Sequence, residues 1–183
     1  MMEKNKIILL GNSLLRQKSE AISKEEFGTP ELKQLEQELF EMMQAENGLG
    51  LAAPQIGISK RAIVFGMEKH PVHTHLPAIP FTVLFNPSYE PMSDECVEDY
   101  EGCLSVGTLR GKVSRFKHIR YRGYDVNGQL IEREVSDLHA RVLQHEYDHL
   151  DGVIFLDKVT NVNSLGFHDE LVRTGELKAR KEA

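Results

Sequence analysis

Residues 141–152 read RVLQHEYDHLDG, a stretch with two histidines four positions apart, His145 and His149, and Glu146 directly after the first. Residues with this spacing lie on one face of an α-helix, so the two imidazoles converge and can bind one divalent cation. Glu146 is rotated by about 100° around the helix, where its carboxylate can reach a water at the metal without binding the metal itself. This arrangement is typical of metal-assisted amide hydrolysis, although the same letters also occur by chance on polar helix faces.

Two histidines do not complete a catalytic metal site, and the residues alone leave the source of the third ligand open. A metzincin would carry a third histidine where this chain has Phe155, which cannot bind a metal. A gluzincin-type protease would use a downstream glutamate, for which Glu170 is the candidate. The upstream option is Cys103, because a thiolate is a strong ligand for a borderline divalent ion. Two imidazoles and one thiolate leave a fourth position open to water, as catalytic sites require.

Composition narrows the class of protein. The 183 residues fit one domain, 1–183, and the 40% apolar and 27% charged fractions are those of a globular protein. A net charge of −6 and a pI of about 5.8 argue against a dedicated nucleic-acid binder. No apolar run approaches the roughly 18–20 residues of a membrane span. The apolar stretch near the N-terminus is too short for a signal peptide. We therefore expect a cytoplasmic protein that binds neither DNA nor membranes.

Local patterns predict a few long elements. Thr29, Pro30 and Gly48 bound a predicted helix at 29–48 whose leucines and methionines recur at helical spacing. β-Branched and aromatic residues predict strands, and the DVNG turn of Asp125–Gly128 predicts a hairpin. The remaining predicted elements are strands at 61–67 and 81–90, a hairpin within 111–137, a helix at 136–152 and a charged terminal helix at 165–183. This order predicts an α+β fold in which antiparallel or mixed strands pack around a central HExxH helix, with an N-terminal and a C-terminal helix.

A histidine-rich loop is the second place where a metal could bind. Residues 68–80 contain His70, His73 and His75 together with three prolines. A proline-rich exposed loop makes a poor rigid site, so we expect at most adventitious binding there. The remaining cysteine, Cys96, is expected to be a reduced thiol that can be replaced with little effect.

Three stretches together resemble the signature motifs of the peptide deformylases: GLGLAAPQ (48–55), EGCLS (101–105) and QHEYDHLDG (144–152). That family removes the formyl group from the N-terminal methionine of new polypeptides. The resemblance implies that Cys103, together with the two histidines of the last motif, holds one divalent metal ion. It implies Fe(II) as the working ion, with zinc, nickel or cobalt as substitutes in purified protein. It also implies that Glu146 is the catalytic acid and base.

The same resemblance implies how the substrate is held. The Gln55 side chain and the Leu104 amide correspond to the groups that stabilise the oxyanion, and the Gly50 backbone meets the peptide. Arg110 corresponds to a position near the substrate. An apolar pocket for methionine is expected to be lined in part by Leu49, Leu138 and Val142. The implied partners are N-formylmethionyl nascent peptides and the ribosome near its exit tunnel.

The sequence departs from the family's pattern at two places. Gly107 stands where many relatives have proline, and GNSLLR (11–16) lacks a proline that often precedes Leu-Arg. The competing functions are an endopeptidase that uses Glu170 and a non-catalytic module that kept the fold. The resemblance also predicts that Glu101 and Arg115 pair behind the site.

Overall fold

Eight strands and three α-helices form the regular structure of the residues described in a computed structural model, 6–70, 73 and 75–178. The helices are α1 Pro30–Ala45, α2 Asp137–Leu150 and α3 His168–Arg173. The strands are β1 Gly50–Ala52, β2 Ala62–Met67, β3 Ile79–Pro91, β4 Cys96–Glu101, β5 Leu109–Phe116, β6 His118–Tyr124, β7 Leu130–Ser136 and β8 Gly166–Phe167. None of the helices among the described residues is long and apolar enough to cross a membrane.

The strands form two antiparallel sheets. One sheet has five strands in the order β1-β2-β3-β6-β7, and the other has three in the order β4-β5-β8. The predicted strands at 61–67 and 81–90 are confirmed as β2 and β3, and the DVNG turn joins β6 to β7. In that turn the Gly128 amide donates to the Asp125 carbonyl, as a tight hairpin requires. The predicted mixed fold with antiparallel sheets and three helices is confirmed.

Helix α1 begins where its sequence predicts. The Thr29 side chain accepts a hydrogen bond from the Leu32 amide and so caps the first turn, with proline at the first helical position. Its apolar face packs against β1 and β2, and Leu39 and Met43 are completely buried there. After α1 ends, residues 46–49 lead the chain into β1 at the edge of the five-stranded sheet.

Helix α2 contacts strands of both sheets and carries the HExxH residues. Leu143 and Leu150 on its inner face are fully buried in the core. The Gln144 side chain anchors the helix, because its amide donates to the Phe116 carbonyl and its oxygen accepts from the Phe116 N–H. The helix therefore has a fixed position relative to β5, which follows the cysteine motif.

The C-terminal prediction was wrong in extent. Instead of a helix over 165–183, the chain first forms β8, in which Gly166 pairs with Arg110, and α3 spans only six residues. No residue of α3 is buried, so no apolar face stabilises a longer helix. The last part of the predicted helix, 179–183, lies outside the described residues.

Candidate active site

The fold brings together three candidate metal ligands, one thiol and two imidazoles. Cys103 follows β4, and His145 and His149 lie on α2. One ligand atom from each of the three lies within 4.8 Å of the others. The Cys103 Sγ is 3.3 Å from His149 Nε2, and the two imidazole rings have centroids 5.2 Å apart. Among the described residues, this is the one such group with metal-binding geometry.

Two buried polar atoms at this site have no hydrogen-bond partner among the described residues. They are Glu146 Oε2 and His149 Nδ1, and both residues are almost fully buried. Leaving such groups unpaired is costly, so native proteins normally supply a partner for them. A thiolate and two imidazoles suit a borderline divalent ion, and a water on such an ion could supply the missing partner of the Glu146 carboxylate. The residues present therefore fit a bound metal.

Burial and neighbouring charges shift the titration of these groups in different directions. Burial raises the pKa of Glu146 to about 7. Burial, followed by the charge of His145, lowers the pKa of His149 well below its ordinary value, which leaves the imidazole neutral. Burial alone would lower the pKa of His145, but hydrogen bonds with Cys103 and Glu101 outweigh it and raise that pKa. A bound cation would displace the proton of His145, because metal ligands must be deprotonated.

Gln55 is held in a fixed orientation beside the cysteine. Its Oε1 accepts from the Ala52 amide at 2.9 Å, which directs the NH₂ group towards the site. The Nε2 donates to Ser105 Oγ at 3.1 Å and approaches Cys103 Sγ at 3.4 Å. The nearby Leu104 amide donates no hydrogen bond to any described residue. The site thus contains N–H donors that can be directed at a developing negative charge.

Glu101 connects the cysteine segment to α2. Its two carboxylate oxygens receive hydrogen bonds from Arg115 at 2.9 and 3.0 Å, so the predicted pair is confirmed. Oε2 also accepts from His145 Nδ1 at 2.8 Å, which leaves the other nitrogen of that ring for a metal. Burial by itself raises the pKa of Glu101, but the hydrogen bonds from Arg115 and His145 hold it well below its ordinary value.

Three buried side chains in this network were missed by the sequence analysis. The first, Arg141, donates to Glu101 Oε1 at 2.8 Å and to the Val97 carbonyl of β4. The second, Asp148, accepts a hydrogen bond from Arg115. The third, Ser105, accepts a hydrogen bond from the Gln55 side chain. Arginine and aspartate in a helix rich in charged residues resemble an exposed polar face, so only their place among apolar neighbours in α2 could have indicated burial.

Gly50 lies against the HExxH glutamate at the free edge of β1. A side-chain carbon at this position would be 2.5 Å from Glu146 Oε1, so the close approach requires glycine. The Gly66 amide donates to the Leu49 carbonyl, which makes these two residues a hydrogen-bonded pair. Because such pairs alternate along antiparallel strands, Gly50 directs its own N–H and C=O away from β2. β1 is an edge strand, so these groups pair with no other strand of the sheet.

The residues expected to surround the substrate lie nearby. Leu49 and Leu138 both pack against the buried cluster that contains Val142. Arg110 lies over Gly102, next to the cysteine, and donates to the carbonyls of residues 107 and 109. Gly107 has a φ of 74°, which proline cannot adopt, so this turn differs from one built on proline.

The alternative ligands lie elsewhere. Glu170 is exposed on α3, where it pairs with Arg173, and it does not belong to the ligand group. Phe155 is buried and stacks on the His145 ring. Cys96 is exposed at the start of β4. The His73 ring contacts those of His70 and His75, but the three form no group with metal-binding geometry among the described residues.

We expect Arg115→Leu to destabilise the protein by roughly 3–5 kcal/mol, because it strands two buried carboxylates, Glu101 and Asp148, without their main partner. Urea unfolding measures the change. The matched control is Arg122→Leu on β6, whose 3.4 Å pair with Glu132 is half exposed and should be worth at most about 1 kcal/mol. Equal stabilities for Arg115→Leu and wild type would remove the idea that this pair supports the site.

Comparisons with known proteins agree with the motifs. Residues 4–164 match the family described as polypeptide deformylase. The chain is 48% identical over 147 residues to peptide deformylase 1 of Bordetella pertussis, covering 80% of this chain and 84% of that protein. It is 42% identical over 165 residues to peptide deformylase 1 of Nitrosomonas europaea, covering 90% and 93%.

Solved structures agree in fold. A Met-Ala-Ser-bound class I type b peptide deformylase from Acinetobacter baumannii has a TM-score of 0.82 and 31% identity, covering 87% of this chain and all of that one. Peptide deformylase from Thermotoga maritima has a TM-score of 0.76 and 30% identity, covering 87% and 99%. The chain belongs to the polypeptide deformylase family, the hydrolases that remove the N-formyl group from newly made polypeptides.

Proposed function

We propose that this chain hydrolyses the formyl amide of N-formylmethionyl peptides at the site formed by Cys103, His145, His149 and Glu146. The observation that carries the proposal is the convergence of three ligand atoms within 4.8 Å beside a buried carboxylate oxygen without a partner. A structural helix would not gather a thiol, two imidazoles and an unpaired acid in one buried place, because each group loses its hydration there.

The proposed cofactor is one divalent metal ion held by Cys103, His145 and His149. Fe(II) is the proposed working ion, with zinc, nickel or cobalt as substitutes, since thiolate and imidazole ligands suit all four. Such an ion, when bound, supplies Lewis acidity and lowers the pKa of a water from about 16 towards 7. The Glu101 carboxylate orients the His145 ring by accepting from Nδ1, which favours one tautomer for binding.

Two N–H donors are proposed to stabilise the oxyanion that forms when water attacks the formyl carbon. One is the Leu104 amide, which has no acceptor among the described residues. The other is the Gln55 NH₂ group. Its contact with Ser105 is the shorter one, so the hydrogen directed at Cys103, at 3.4 Å, is the one available to the oxyanion. Donors fixed before the reaction need not reorganise as the charge develops.

Glu146 is proposed to carry the proton in both directions. It takes a proton from the attacking water and later gives it to the nitrogen of the departing methionine, so that formate and a free amine are the products. A pKa raised by burial to about 7 suits both roles near neutral pH, because the carboxylate can accept a proton and then release it.

The substrate peptide is proposed to pair with the free edge of β1. The outward N–H and C=O of Gly50 can bond to the backbone of the methionine residue as an added strand. The methionine side chain is proposed to enter an apolar pocket lined in part by Leu49, Leu138 and Val142, with Arg110 near the substrate. The Met-Ala-Ser peptide in the Acinetobacter baumannii relative supports a peptide ligand of this kind.

The test is formate release from formyl-Met-Ala-Ser compared with acetate release from acetyl-Met-Ala-Ser, with protein purified without oxygen. We expect the formyl peptide to react far faster, because the extra methyl group of acetyl crowds a space sized for formyl. Comparable rates for the two peptides would contradict a formyl-specific site.

The methionine pocket is checked by the same assay with formyl-Gly-Ala-Ser. Losing the methionine contacts should cost about 1–3 kcal/mol in kcat/KM, or roughly 10–200-fold. Equal kcat/KM for the methionine and glycine peptides would rule the pocket out while leaving the deformylation reaction intact.

We also propose that residues 1–183 form one catalytic domain, which the family match over 4–164 supports. Nascent formylated chains are produced at ribosomes, so we propose that the protein acts in the cytoplasm, near the ribosomal exit tunnel. Neither DNA nor a membrane has a role in this proposal.

A further inference from the structure

The two proposed oxyanion donors belong to segments that follow strands of different sheets. Gln55 follows β1 of the five-stranded sheet, and Leu104 follows β4 of the three-stranded sheet. Among the described residues, no backbone hydrogen bond links residues 48–57 directly to residues 101–107. A direct hydrogen bond runs only from the Gln55 side chain, to Ser105 Oγ at 3.1 Å and more weakly to the neighbouring thiol. The relative position of the donors therefore depends on what else joins the two segments.

A short N-terminal segment, residues 7–10, supplies the backbone connection, and we call it the clamp segment. The Ile8 N–H donates to the Gln55 carbonyl at 2.8 Å. The Leu10 N–H donates to the Ser105 carbonyl, also at 2.8 Å. Two donors separated by a single residue thus bind one carbonyl from each of the two motifs.

The apolar side chains of the clamp segment support the same connection. Ile7 packs against the buried cluster that contains Leu51 of the first motif. Ile8 packs against the buried cluster that contains Cys103 of the second motif. The clamp segment is therefore fixed on both sides by packing as well as by hydrogen bonds.

A tight turn directly after the clamp segment fixes the direction of the Leu10 N–H. The Asn12 N–H donates to the Leu9 carbonyl at 3.0 Å, and Gly11 has a φ of 109°. This is the pattern of a type II turn, in which the third residue needs a positive φ and the second favours proline. A side-chain carbon at Gly11 would meet nothing within 4 Å, so the backbone conformation alone favours glycine there.

We propose that the clamp segment positions the oxyanion donors: by binding the carbonyls of Gln55 and Ser105, it sets the distance between the Gln55 NH₂ group and the Leu104 amide. The inference rests on the proposed function, since it needs both donors to bind the oxyanion. Ser105 passes on the position of the clamp segment, because its Oγ accepts from Gln55 and its backbone continues directly from Leu104. Displacing such groups by about 1 Å can cost roughly 10²-fold in rate.

The experiment removes one N–H of the clamp segment. Leu10→Pro deletes the donor to Ser105, while the turn accepts proline at this position. Removing a whole oxyanion donor costs about 10²–10³-fold in kcat, and displacing the donors should cost less, so we expect kcat for formyl-Met-Ala-Ser to fall roughly 5–50-fold. KM should change by less than about twofold, because the lost interaction belongs to the transition state.

Two measurements on the same variant do not depend on activity. The metal content of Leu10→Pro should equal that of wild type, because no ligand is changed. In ¹⁵N–¹H NMR spectra of the zinc-loaded protein, the signals of the Gln55 side chain and the Leu104 amide should shift relative to wild type.

Two matched controls isolate the missing N–H. Leu10→Ala keeps the backbone donor and removes a side chain that is 45% exposed. Leu9→Pro places proline one residue earlier, where the N–H donates to no described residue. Both variants should keep kcat within about twofold of wild type, as expected for surface changes.

A double-mutant cycle tests whether the effect passes through the donors. In Gln55→Ala one of the two donors is already absent, so adding Leu10→Pro should slow the reaction by less than about threefold. A general weakening of the fold would instead slow the reaction by the same factor in both backgrounds.

The remaining outcomes separate the inference from the proposed function. If Leu10→Pro is folded and metal-loaded but keeps the wild-type kcat, the inference is overturned and the proposed function stands. The same holds if either control is as slow as Leu10→Pro, or if the full loss persists in Gln55→Ala. If wild type releases no formate from formyl-Met-Ala-Ser, the proposed function itself fails.

A second variant serves if Leu10→Pro does not fold. Gly11→Ala strains the turn without a steric clash, so it should shift the Leu10 N–H and lower kcat by roughly two- to fivefold with a full metal content. A wild-type kcat for Gly11→Ala would then overturn the inference.

Discussion

Cys103→Ala is expected to lose most of its bound metal. Among the described residues, the Sγ atom is one of three ligand atoms that converge within 4.8 Å, and the two remaining imidazoles lie on the same helix face. Losing a hydrogen-bond partner behind a metal ligand typically weakens affinity by about 10–100-fold, so losing a ligand should weaken it more. Elemental analysis of the purified variant, followed by titration with Zn²⁺ or Co²⁺ under a competing chelator, measures the loss.

Two controls distinguish this ligand set from its alternative. Glu170→Ala removes the glutamate that a gluzincin-type protease would use, and Cys96→Ala removes the other thiol of the chain. Both side chains are exposed and outside the ligand group, so both variants should keep a full metal content. If Glu170→Ala is purified without metal while Cys103→Ala retains it, the proposed site and the deformylation mechanism built on it collapse.

The parts of the fold that could be predicted from the sequence are those whose signals are local. Thr29 and Pro30 begin α1 because capping depends on neighbouring residues, and the DVNG turn joins β6 to β7 because turn geometry depends on four residues. The spacing of His145 and His149 likewise places both rings on one face of α2. These predictions were confirmed because no distant contact was needed to make them.

The parts that could not be predicted depend on contacts between distant residues. β4 was missed because most of its residues are exposed or charged, so it has no apolar alternation and is fixed by pairing with β5. The bonds from Arg141 to Val97 and to Glu101 join positions 44 and 40 residues apart. The predicted terminal helix failed for a related reason, since its charged sequence favours a helix locally but no buried face stabilises one beyond α3.

The same distinction applies to the site. The resemblance assigned Glu101 and Arg115 to a pair, but the structure places Asp148 and Arg141 in the same network. Glu101 therefore accepts hydrogen bonds from both Arg115 and Arg141 while it bonds His145, and its orientation does not depend on Arg115 alone. Such a network fixes the ring of a metal ligand more firmly than a single pair would.

Glu146→Ala is expected to separate metal binding from chemistry. The variant should keep its metal, because Cys103, His145 and His149 remain, and it should still bind peptides through the edge at Gly50. Hydrolysis should nevertheless slow steeply. General acid–base catalysis is typically worth about 10²–10⁴-fold, and here one carboxylate serves both proton transfers, so the loss should reach the upper end of that range or more. It should appear mainly in kcat, since the proton transfers belong to the transition state.

Glu146→Gln makes the result specific to the charge. Oε1 lies so close to Gly50 that the site is shaped around this side chain, and glutamine fills nearly the same volume without a group that can accept the proton. Both variants should therefore be slow, while Glu132→Ala, a half-exposed glutamate on β7, should react at the wild-type rate. Metal analysis, peptide affinity and formate release on the same preparations separate the causes. If Glu146→Ala is purified without metal, Glu146 is a metal ligand or is needed to support the site. A metal-loaded variant that works within about tenfold of wild type would instead show that another group carries the proton.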